Sequence, residues 1–503
     1  MGQKYCFFCR LFLIFVRFLA KMSDKNYFHS LLAILLVTLV ACIGMYWLPD
    51  NVLGFTLKKV DMLSDVRVRT EKMSLDSLLM ETEMDNLLAS DSLLMPDSMM
   101  VRGLNAVQLS ERDSLYRLAS SGVPATTSEV RIEDFSAGHT GLKHFFSVLS
   151  RIHLLDRPVR IAFMGDSFVE GDLVLADFRA QMQTRFGGGG VGFVPVSSTV
   201  EQYRPTITQR SRGWKANSIL SDRSRKYVVS GMLFEPTADE ASITFKTVNT
   251  YPGLDKATSL KFIYKQNEQS TLRLICNNLS DTIDHVLQSG ETIMQYEMEG
   301  VFTDGTFYFS QATGLQALGL AYEDNTGIVV DNFSLRGNSG TVLDQLDKSS
   351  CFALHAIRPY DLIILQYGLN VTSEDMLHYG WYRDRMVTVI EHIRQCFPET
   401  DILLLGVSDR SYYNEGTYQT MPAVVSLLRA QQQVAQLTQI PFWSVFDAMG
   451  GAGAMVRYVD WRWASKDYTH LSFRGGREIA TKLFNALILE KELYDEMEKT
   501  GNE

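Results

Sequence analysis

The chain has 503 residues, 46% of them hydrophobic and 21% charged, which is enough for about two or three domains with a sizeable apolar core. A formal net charge of −10 and the lack of any basic stripe argue against a nucleic-acid partner. The six cysteines show neither a disulfide framework nor the ligand spacing of a zinc site, so we predict no metal and no cofactor.

The N-terminus contains an uninterrupted apolar run at residues 31–48. A run of this length reaches across the ~30 Å hydrocarbon core of a bilayer. Lys21 and Lys25 precede it and acidic residues follow it, so the start should stay in the cytoplasm and the remainder should be exported. We therefore expect residues 1–60 to hold a cytoplasmic tail and a signal anchor, with the remainder of the chain in the periplasm, tethered to the inner membrane.

The type of anchor and the start of the protein are left open by the sequence. The segment LVAC at 39–42 resembles a lipoprotein cleavage box, which would leave Cys42 lipidated. However, residues 43–48 stay apolar where lipoproteins turn polar, and this favours an uncleaved anchor. Either Met1 or Met22 is the true start, because an earlier apolar patch is interrupted by arginines.

Residues 61–128 differ in composition from the N-terminal segment and have low complexity. The motif DSLLM occurs at 76–80 and again at 91–95, with related segments at unequal offsets, so it is not a structural repeat. The spacing of Leu and Met allows short amphipathic helices that are interrupted at Pro96. A membrane-surface or partner-docking role and a flexible stalk both fit this pattern, and we favour the stalk.

Globular patterning begins near Val130 and falls into two blocks, 129–199 and 331–494. In both blocks short apolar runs alternate with segments of helical periodicity. We predict strands at 160–164, 362–365, 402–405 and 442–446, and helices at 173–185, 386–396, 424–437 and 476–489. This alternation predicts an α/β fold with a parallel sheet covered by helices on both faces.

Residues 200–330, between the two blocks, differ from them. Many short segments rich in β-branched and aromatic residues are separated by turn residues, which predicts a β-sandwich. It should be inserted into the α/β domain, because the parallel pattern opens before it and closes after it. Trp214 and Tyr251 could stack on sugars, or they could belong to the sandwich core.

Four short motifs carry the chemistry. In chain order they are Gly165-Asp166-Ser167, Asn338-Ser339-Gly340-Thr341, Gly368-Leu369-Asn370 and Asp467-Tyr468-Thr469-His470. A serine hydroxyl attacks an ester carbonyl only if a base removes its proton and a third group holds that base in the right tautomer. A carboxylate three residues before a histidine can reach a ring nitrogen within one turn. The sequence therefore points to acyl chemistry with a serine nucleophile.

In this order the motifs resemble the four sequence blocks that are typical of the SGNH (GDSL-like) hydrolase superfamily. The resemblance implies a flavodoxin-like three-layer α/β/α fold with the motifs at the carboxyl edge of the sheet. It implies Ser167 as the nucleophile, His470 as the general base and Asp467 as the residue that orients the imidazole. It also implies an oxyanion hole formed by the backbone amides of Ser167 and Gly340 and the side-chain amide of Asn370.

Two segments narrow the resemblance. The residues after Ser167 and the glycine run at 187–190 resemble exported bacterial SGNH proteins that act on O-acetyl groups of peptidoglycan or exopolysaccharide, which often carry a carbohydrate-binding-module-like sandwich. The run lacks the Lys-Ser/Thr of a phosphate loop. We therefore expect it to shape the rim of the cleft, and we assign Glu170 and Asp172 to the rim or to positions behind the reacting groups.

These features favour a serine esterase that removes acyl groups, above all acetyl, from a cell-envelope glycan through an acyl-enzyme. A glycan O-acetyltransferase would use the same triad, with a membrane acyltransferase partner that supplies the acyl group. An inactive glycan-binding scaffold is a third reading. The expected partners are an acylated glycan and the membrane.

Overall fold

The computed structural model describes residues 51–52, 55–56, 106–121, 130–266, 268, 270–276 and 283–500. The chain divides into two units, residues 1–80 and residues 81–503. In the first unit, strands β1 (Asn51–Val52) and β2 (Phe55–Thr56) form an antiparallel pair. The predicted anchor at residues 30–48 lies outside the described residues. Among the helices within these ranges, none has the length and hydropathy needed to span a bilayer.

Within the described ranges of the second unit there are nineteen further strands. In chain order they are β3 (Glu133–Asp134), β4 (Val159–Gly165), β5 (Gly192–Pro195), β6 (Ile207–Arg212), β7 (Trp214–Ser218), β8 (Met232–Pro236), β9 (Ala241–Thr247), β10 (Ala257–Gln266), β11 (Thr271–Ile275), β12 (Ile283–Val286), β13 (Met294–Phe302), β14 (Asp304–Ser310), β15 (Gln316–Glu323), β16 (Ile328–Ser334), β17 (Leu362–Gln366), β18 (Asp401–Leu405), β19 (Ser411–Asn414), β20 (Thr417–Thr420) and β21 (Pro441–Trp443).

The helices of the same unit are α1 (Ala106–Ser121), α2 (Lys143–Ser150), α3 (Leu175–Phe186), α4 (Lys348–Ile357), α5 (Gly380–Cys396), α6 (Pro422–Thr438), α7 (Val445–Met449), α8 (Ala454–Asp460) and α9 (Phe473–Thr500).

A six-stranded sheet with the order β16-β4-β17-β18-β21-β3 forms the centre of the α/β domain, which we define as residues 130–186 and 328–500. Five strands are parallel, and the edge strand β3 is antiparallel to β21. If the five parallel strands are numbered along the chain, their order across the sheet is 2-1-3-4-5, as in flavodoxin-like doubly wound sheets. Ile161 and Phe163 of β4 pack towards α2, α3 and α9, whereas Ala162 and Met164 pack towards α4, α5 and α6. The expected parallel sheet with helices on both faces is therefore present.

Two antiparallel sheets lie between α3 and β16 in the chain, and we call residues 192–323 the sandwich. One sheet has the order β13-β10-β15-β8-β7 with β5 added beside β15, and the other has the order β12-β11-β14-β9-β6. Aromatic rings fill the space between them: Phe245 lies 4.7 Å from Tyr322, centroid to centroid, and Phe262 lies 4.8 Å from Phe309. The observed boundaries differ from 200–330, because β5 already pairs with β15 and β16 belongs to the parallel sheet.

The sandwich is seated on the α/β domain by apolar contacts. Phe193 of β5 packs on Phe333 of β16 with ring centroids 4.9 Å apart, and Phe333 in turn contacts Tyr360 at 5.9 Å. Leu318 of β15 and Leu354 of α4 belong to the same buried cluster. The sheet that contains β15 is thus covered on one face by the second sheet and on the other by the α/β domain.

A buried ion-pair network crosses the same boundary. Glu323 at the end of β15 accepts hydrogen bonds from Arg160 of β4 at 2.7 Å and from Lys261 of β10 at 2.8 Å. Arg358, after α4, pairs with Glu323 and binds both carboxylate oxygens of Asp331 on β16 at 2.7 Å. Burial raises the pKa of Glu323, but the surrounding cations outweigh burial and hold that pKa well below its usual range.

The sequence predicts that the glycine run at 187–190 shapes the rim of the cleft, and the structure contradicts this prediction. The amide of Ile328 donates to the carbonyl of Gly187 at 3.0 Å, so the run lies at the amino end of β16, whereas the site residues follow its carboxyl end. Gly190 has φ +77°, and any side chain there would collide with the carbonyl oxygen of Tyr322. Glycine is required here because the chain passes tightly from the α/β domain into the sandwich.

Helix α1 falls within the range 61–128 that we predicted as a stalk, and its contacts differ from that expectation. Ala119 packs with Leu493 and Met497 of α9. Tyr116 donates to Glu490 at 3.2 Å, and burial raises the pKa of that carboxyl to about 7. Residues 106–121 are therefore packed on the last helix of the α/β domain.

Replacing the central cation of the network tests what holds the sandwich in place. Arg358→Met leaves two buried carboxylates without their shared partner, so we expect a loss of about 3–5 kcal/mol in the free energy of unfolding. Thermal and urea denaturation would measure it. The matched control is Arg273→Met, which breaks an exposed pair with Asp284 and should leave Tm nearly unchanged. Equal Tm values for both variants would contradict the role of the network.

Candidate active site

Three neighbouring strands bring the first three motifs together. Gly165, the last residue of β4, pairs with Ser334 at the end of β16 and with Gln366 at the end of β17. The carboxyl ends of the strands are therefore level. The segments that follow carry Ser167, Gly340 and Asn370, so these residues leave the sheet at the same edge, where ligands bind in open α/β sheets.

The fourth motif brings a histidine to the serine. Oγ of Ser167 lies 3.3 Å from Nε2 of His470, and Nδ1 of His470 lies 2.7 Å from Oδ2 of Asp467. Both contacts join the atoms that proton transfer from a serine would require. The structure thus places the three predicted triad residues in one hydrogen-bonded chain.

Asp467 is held ionised by its surroundings. Burial raises its pKa, but hydrogen bonds from the Ser465 hydroxyl, the His470 amide and the His470 ring together lower the pKa of Asp467 to about 2. The backbone amides of Thr469 and His470 each donate to Oδ1 at 3.0 Å, which leaves Oδ2 for the imidazole. This tight loop requires Tyr468 to adopt φ +55°, an uncommon conformation for a non-glycine residue.

Asp166 is fully buried and links the serine turn to Asn370. Its Oδ1 accepts from the Phe168 amide at 2.8 Å, which closes the turn that presents Ser167. Its Oδ2 accepts from Nδ2 of Asn370 at 2.8 Å. Burial raises the pKa of the Asp166 carboxyl to about 6, although the Phe168 hydrogen bond and the charge of His470 lower it.

The three predicted oxyanion donors are not equivalent in the structure. The Ser167 amide has no acceptor among the described residues. The Gly340 amide donates to Oδ1 of Asn338 at 2.9 Å, and Nδ2 of Asn370 donates both to Asp166 and to the carbonyl of Asn338 at 2.9 Å. Two of the three donors therefore already have protein acceptors that a ligand oxygen would have to share or replace.

Gly340 cannot be replaced by a larger residue without distortion. Its φ is +89°, and a Cβ there would lie 3.0 Å from the ring of Tyr367. The backbone at this position therefore lies directly against the side chain at the end of β17. Glycine is needed for the close packing of these two motif segments.

Our sequence interpretation missed two positioning residues, Asp166 and Asn338. Both residues were noted only as parts of motifs. Asn338 is buried and accepts from both Gly340 and Asn370, so it holds two of the predicted donors. The signals that were available are an Asp directly after a strand, for Asp166, and an Asn two residues before a motif glycine, for Asn338, since Asn and Asp side chains commonly accept from the backbone two residues on.

Glu170 and Asp172 lie in different environments. Glu170 forms an ion pair with the exposed Arg336 at 2.5 Å, beside a cavity of about 160 Å³ between the carboxyl end of β16 and the sandwich. Asp172 is fully buried and accepts from Arg204 at 2.9 Å and from Thr206 at 2.5 Å. Glu170 is therefore at the rim, whereas Asp172 ties the α/β domain to the chain entering β6.

The two aromatic residues considered for sugar stacking belong to the core. Tyr251 is buried, and its hydroxyl donates to Asp177 at 2.9 Å. The indole of Trp214 packs edge-on against Phe309 at 5.3 Å and donates to the carbonyl of Ser242. Tyr251 is therefore closed to a ligand, and Trp214 is partly buried against the core of the sandwich.

Among solved structures, the chain is similar to a peptidoglycan O-acetylesterase, with a TM-score of 0.58 and 21% identity over 72% of this chain and 99% of that one. The chain therefore shares its fold with this O-acetylesterase. It is also similar to a family two carbohydrate esterase from Cellvibrio japonicus, with TM-score 0.25 and 9% identity over 58% of this chain and 99% of that one. A third similarity is to the lipase/acylhydrolase from Enterococcus faecalis, with TM-score 0.24 and 17% identity over 32% and 76% of the two chains.

The flavodoxin-like α/β fold that the resemblance implied is thus confirmed. The second and third TM-scores are below 0.5, so this conclusion rests on the first structure and on the strand order. No family model matches the chain, and no curated protein matches its sequence. The roles of the site residues are argued from their geometry alone.

Asp166→Asn tests the link between the serine turn and Asn370. An amide at this position still accepts from Phe168, but its NH2 group would face the NH2 group of Asn370, which must then rotate. We expect kcat on an acetyl ester to fall about 100-fold, the lower end of the loss when one oxyanion donor is removed. Asp284→Asn on the sandwich surface is the control and should not change kcat.

The same variant should change the pH dependence of stability, with a Tm relative to wild type that is more favourable at high pH. The folded pKa of Asp166 lies above its ordinary value, so the folded state binds more protons and the stability from this group falls as pH rises towards about 6. Tm of Asp166→Asn relative to wild type should therefore be higher near pH 8 than near pH 4. A pH-independent difference in Tm would contradict a buried, ionisable Asp166.

Proposed function

We propose that this protein is a serine esterase that removes acetyl groups from a cell-envelope glycan. The observation that carries the proposal is the hydrogen-bonded chain from Oγ of Ser167 through the His470 ring to Asp467, with separations of 3.3 and 2.7 Å. The fold shared with a peptidoglycan O-acetylesterase supports the substrate class.

The first half of the reaction forms an acyl-enzyme. Oγ of Ser167 attacks the acetyl carbonyl carbon while its proton passes to Nε2 of His470. Asp467 accepts a hydrogen bond from Nδ1–H, which leaves Nε2 unprotonated as the base and stabilises the imidazolium that forms. His470 then gives the proton to the departing sugar oxygen, and the bond between that oxygen and the acyl carbon breaks.

The second half releases acetate. Water attacks the acyl carbon while His470 takes one of its protons, the bond to Oγ of Ser167 breaks, and that proton returns to Oγ. In both halves the carbonyl oxygen becomes an anion. The Ser167 amide would bind it first, and the amides of Gly340 and Asn370 would share their hydrogens with it. Hydrogen bonds of this kind commonly tighten only when substrate is bound.

The exposure of the site favours an ester on a large substrate. The side chains of His470 and Asp467 are 44% and 50% exposed, so the catalytic base lies near the surface. A polymer that cannot enter a deep cavity can still bring an acetyl group to Ser167. We also propose that the domain acts in the periplasm, an inference that rests only on the sequence of residues 31–48.

Acetate release tests the function directly. The full-length protein is incubated with O-acetylated peptidoglycan, and free acetate and glycan-bound acetyl are measured. We expect acetate to be released by wild type and by the control Ser221→Ala, and not by Ser167→Ala. Transfer of acetyl groups to added glycan oligomers in place of release would indicate the O-acetyltransferase. Undiminished release by Ser167→Ala would falsify the assignment of the nucleophile.

Asp467→Asn tests the third member of the chain. The amide oxygen can still accept from the amides of Thr469 and His470, but its NH2 group would face Nδ1 and stabilise the wrong tautomer. We expect kcat to fall about 100-fold, at the low end for such changes because the pair is half exposed. Asp460→Asn, an exposed carboxylate at the end of α8, is the control. Similar kcat values for the two variants would remove Asp467 from the mechanism.

A further inference from the structure

A small hairpin lies beside the catalytic loop and is not used by the mechanism above. Strands β19 and β20 pair antiparallel and follow β18, the neighbour of β17 at the carboxyl edge of the sheet. We call residues 411–420 the tyrosine hairpin. The amide of Ser411 donates to the carbonyl of Tyr468 at 3.0 Å, and the hydroxyl of Thr420 donates to Asp409 at 2.8 Å. The hairpin is therefore attached to the loop that carries His470.

Three tyrosine rings form a continuous row from the hairpin to that loop. Tyr413 and Tyr418 are opposite each other on the two strands, with ring centroids 5.2 Å apart and planes at 65°. Tyr418 stacks on Tyr468 at 3.6 Å, with planes only 10° apart. Tyr468 precedes His470 by two residues. The outermost ring is thus connected by direct ring contacts to the catalytic loop.

The outer rings of this row are open to solvent. Tyr413 is 63% exposed and Tyr418 is 41% exposed. The neighbouring Tyr412 points to the opposite face of its strand and packs on the core of the α/β domain, so it supplies the packing that holds the hairpin. Tyr413 makes no comparable contribution to the core. An exposed ring that is connected by ring contacts to the loop carrying the catalytic base is available to a ligand.

We infer that Tyr413 is a stacking platform for a sugar ring of the substrate, and that Tyr418 positions it. This inference rests on the proposed function and adds a glycan subsite to it. The apolar face of a sugar ring can lie on the flat face of Tyr413, while the sugar hydroxyls stay in water or pair with the phenol. The sugar on Tyr413 and the ester-bearing sugar belong to the same glycan chain, so the first holds the second beside Ser167. Remote binding of this kind orients the reacting group.

The open position of the ring favours a sugar over an acyl chain. A hydrocarbon chain gains most from burial on all sides, whereas a sugar ring needs one apolar face and hydrated edges. Tyr413 offers such a one-sided surface. The platform therefore acts on the alcohol part of the ester, and a small chromogenic ester would not use it.

The ratio of two activities tests the platform. For full-length wild type, Tyr413→Ala and Tyr413→Phe, kcat/KM is measured on O-acetylated peptidoglycan and on p-nitrophenyl acetate. We expect Tyr413→Ala to lower the ratio of glycan to small-ester kcat/KM about tenfold and Tyr413→Phe to keep it within about twofold. Phe352→Ala, which removes an exposed ring on α4 that is 57% accessible, is the control and should not change the ratio. An unchanged ratio for Tyr413→Ala, or an equal fall in both activities, would overturn the platform.

A binding measurement separates this inference from the proposed function. In a Ser167→Ala background, the Kd for O-acetylated peptidoglycan fragments is measured with and without Tyr413→Ala. A rise of about tenfold in Kd supports the platform whether or not wild type releases acetate. An unchanged Kd refutes it. Absence of acetate release by wild type, together with binding that depends on Tyr413, would refute the esterase and leave the subsite standing.

Discussion

The pairing of β16 and β17 with strand β4 determines where Ser167, Gly340 and Asn370 lie. The three strands are parallel and end level, so the turns that follow them must share one edge of the sheet. A slip of one residue in either pairing would turn the side chains of that strand to the other face. The near-continuous apolar character of β4 and β17, buried on both faces, keeps the strands in the centre of the sheet.

Hydrogen bonds to buried polar groups then fix the positions of the residues that meet at this edge. Asp166 and Asn338 between them accept from Phe168, Gly340 and Asn370. Each of these acceptors is itself buried, so leaving one unpaired would be costly. The cost of burying a carboxylate at 166 is visible as a raised pKa. Preorganised donors are useful to catalysis because they need little rearrangement when charge develops on the substrate.

The sandwich is joined to the α/β domain by a different kind of interaction. The network around Arg358 and Glu323 and the contact of Phe193 with Phe333 bury its base against the α/β domain. Buried ion pairs contribute little net stability, but the loss of one partner is severe. The network therefore acts mainly to specify how the two parts meet. The tyrosine hairpin is attached to the loop that carries His470 and forms one edge of the cleft.

The sequence by itself determined the local features: the apolar strands and amphipathic helices, the order of the motifs and the three residues of the triad as candidates. It misjudged β21, where Ser444 caps a new helix, α7, by accepting from the Asp447 amide, so that a predicted strand ends early. Only the tertiary structure showed the roles of Asp166 and Asn338, the position of the glycine run and the row of tyrosines at His470. Periodicity and motif spacing depend on neighbours along the chain, whereas these contacts join residues that are distant in sequence and are decided by strand order and burial.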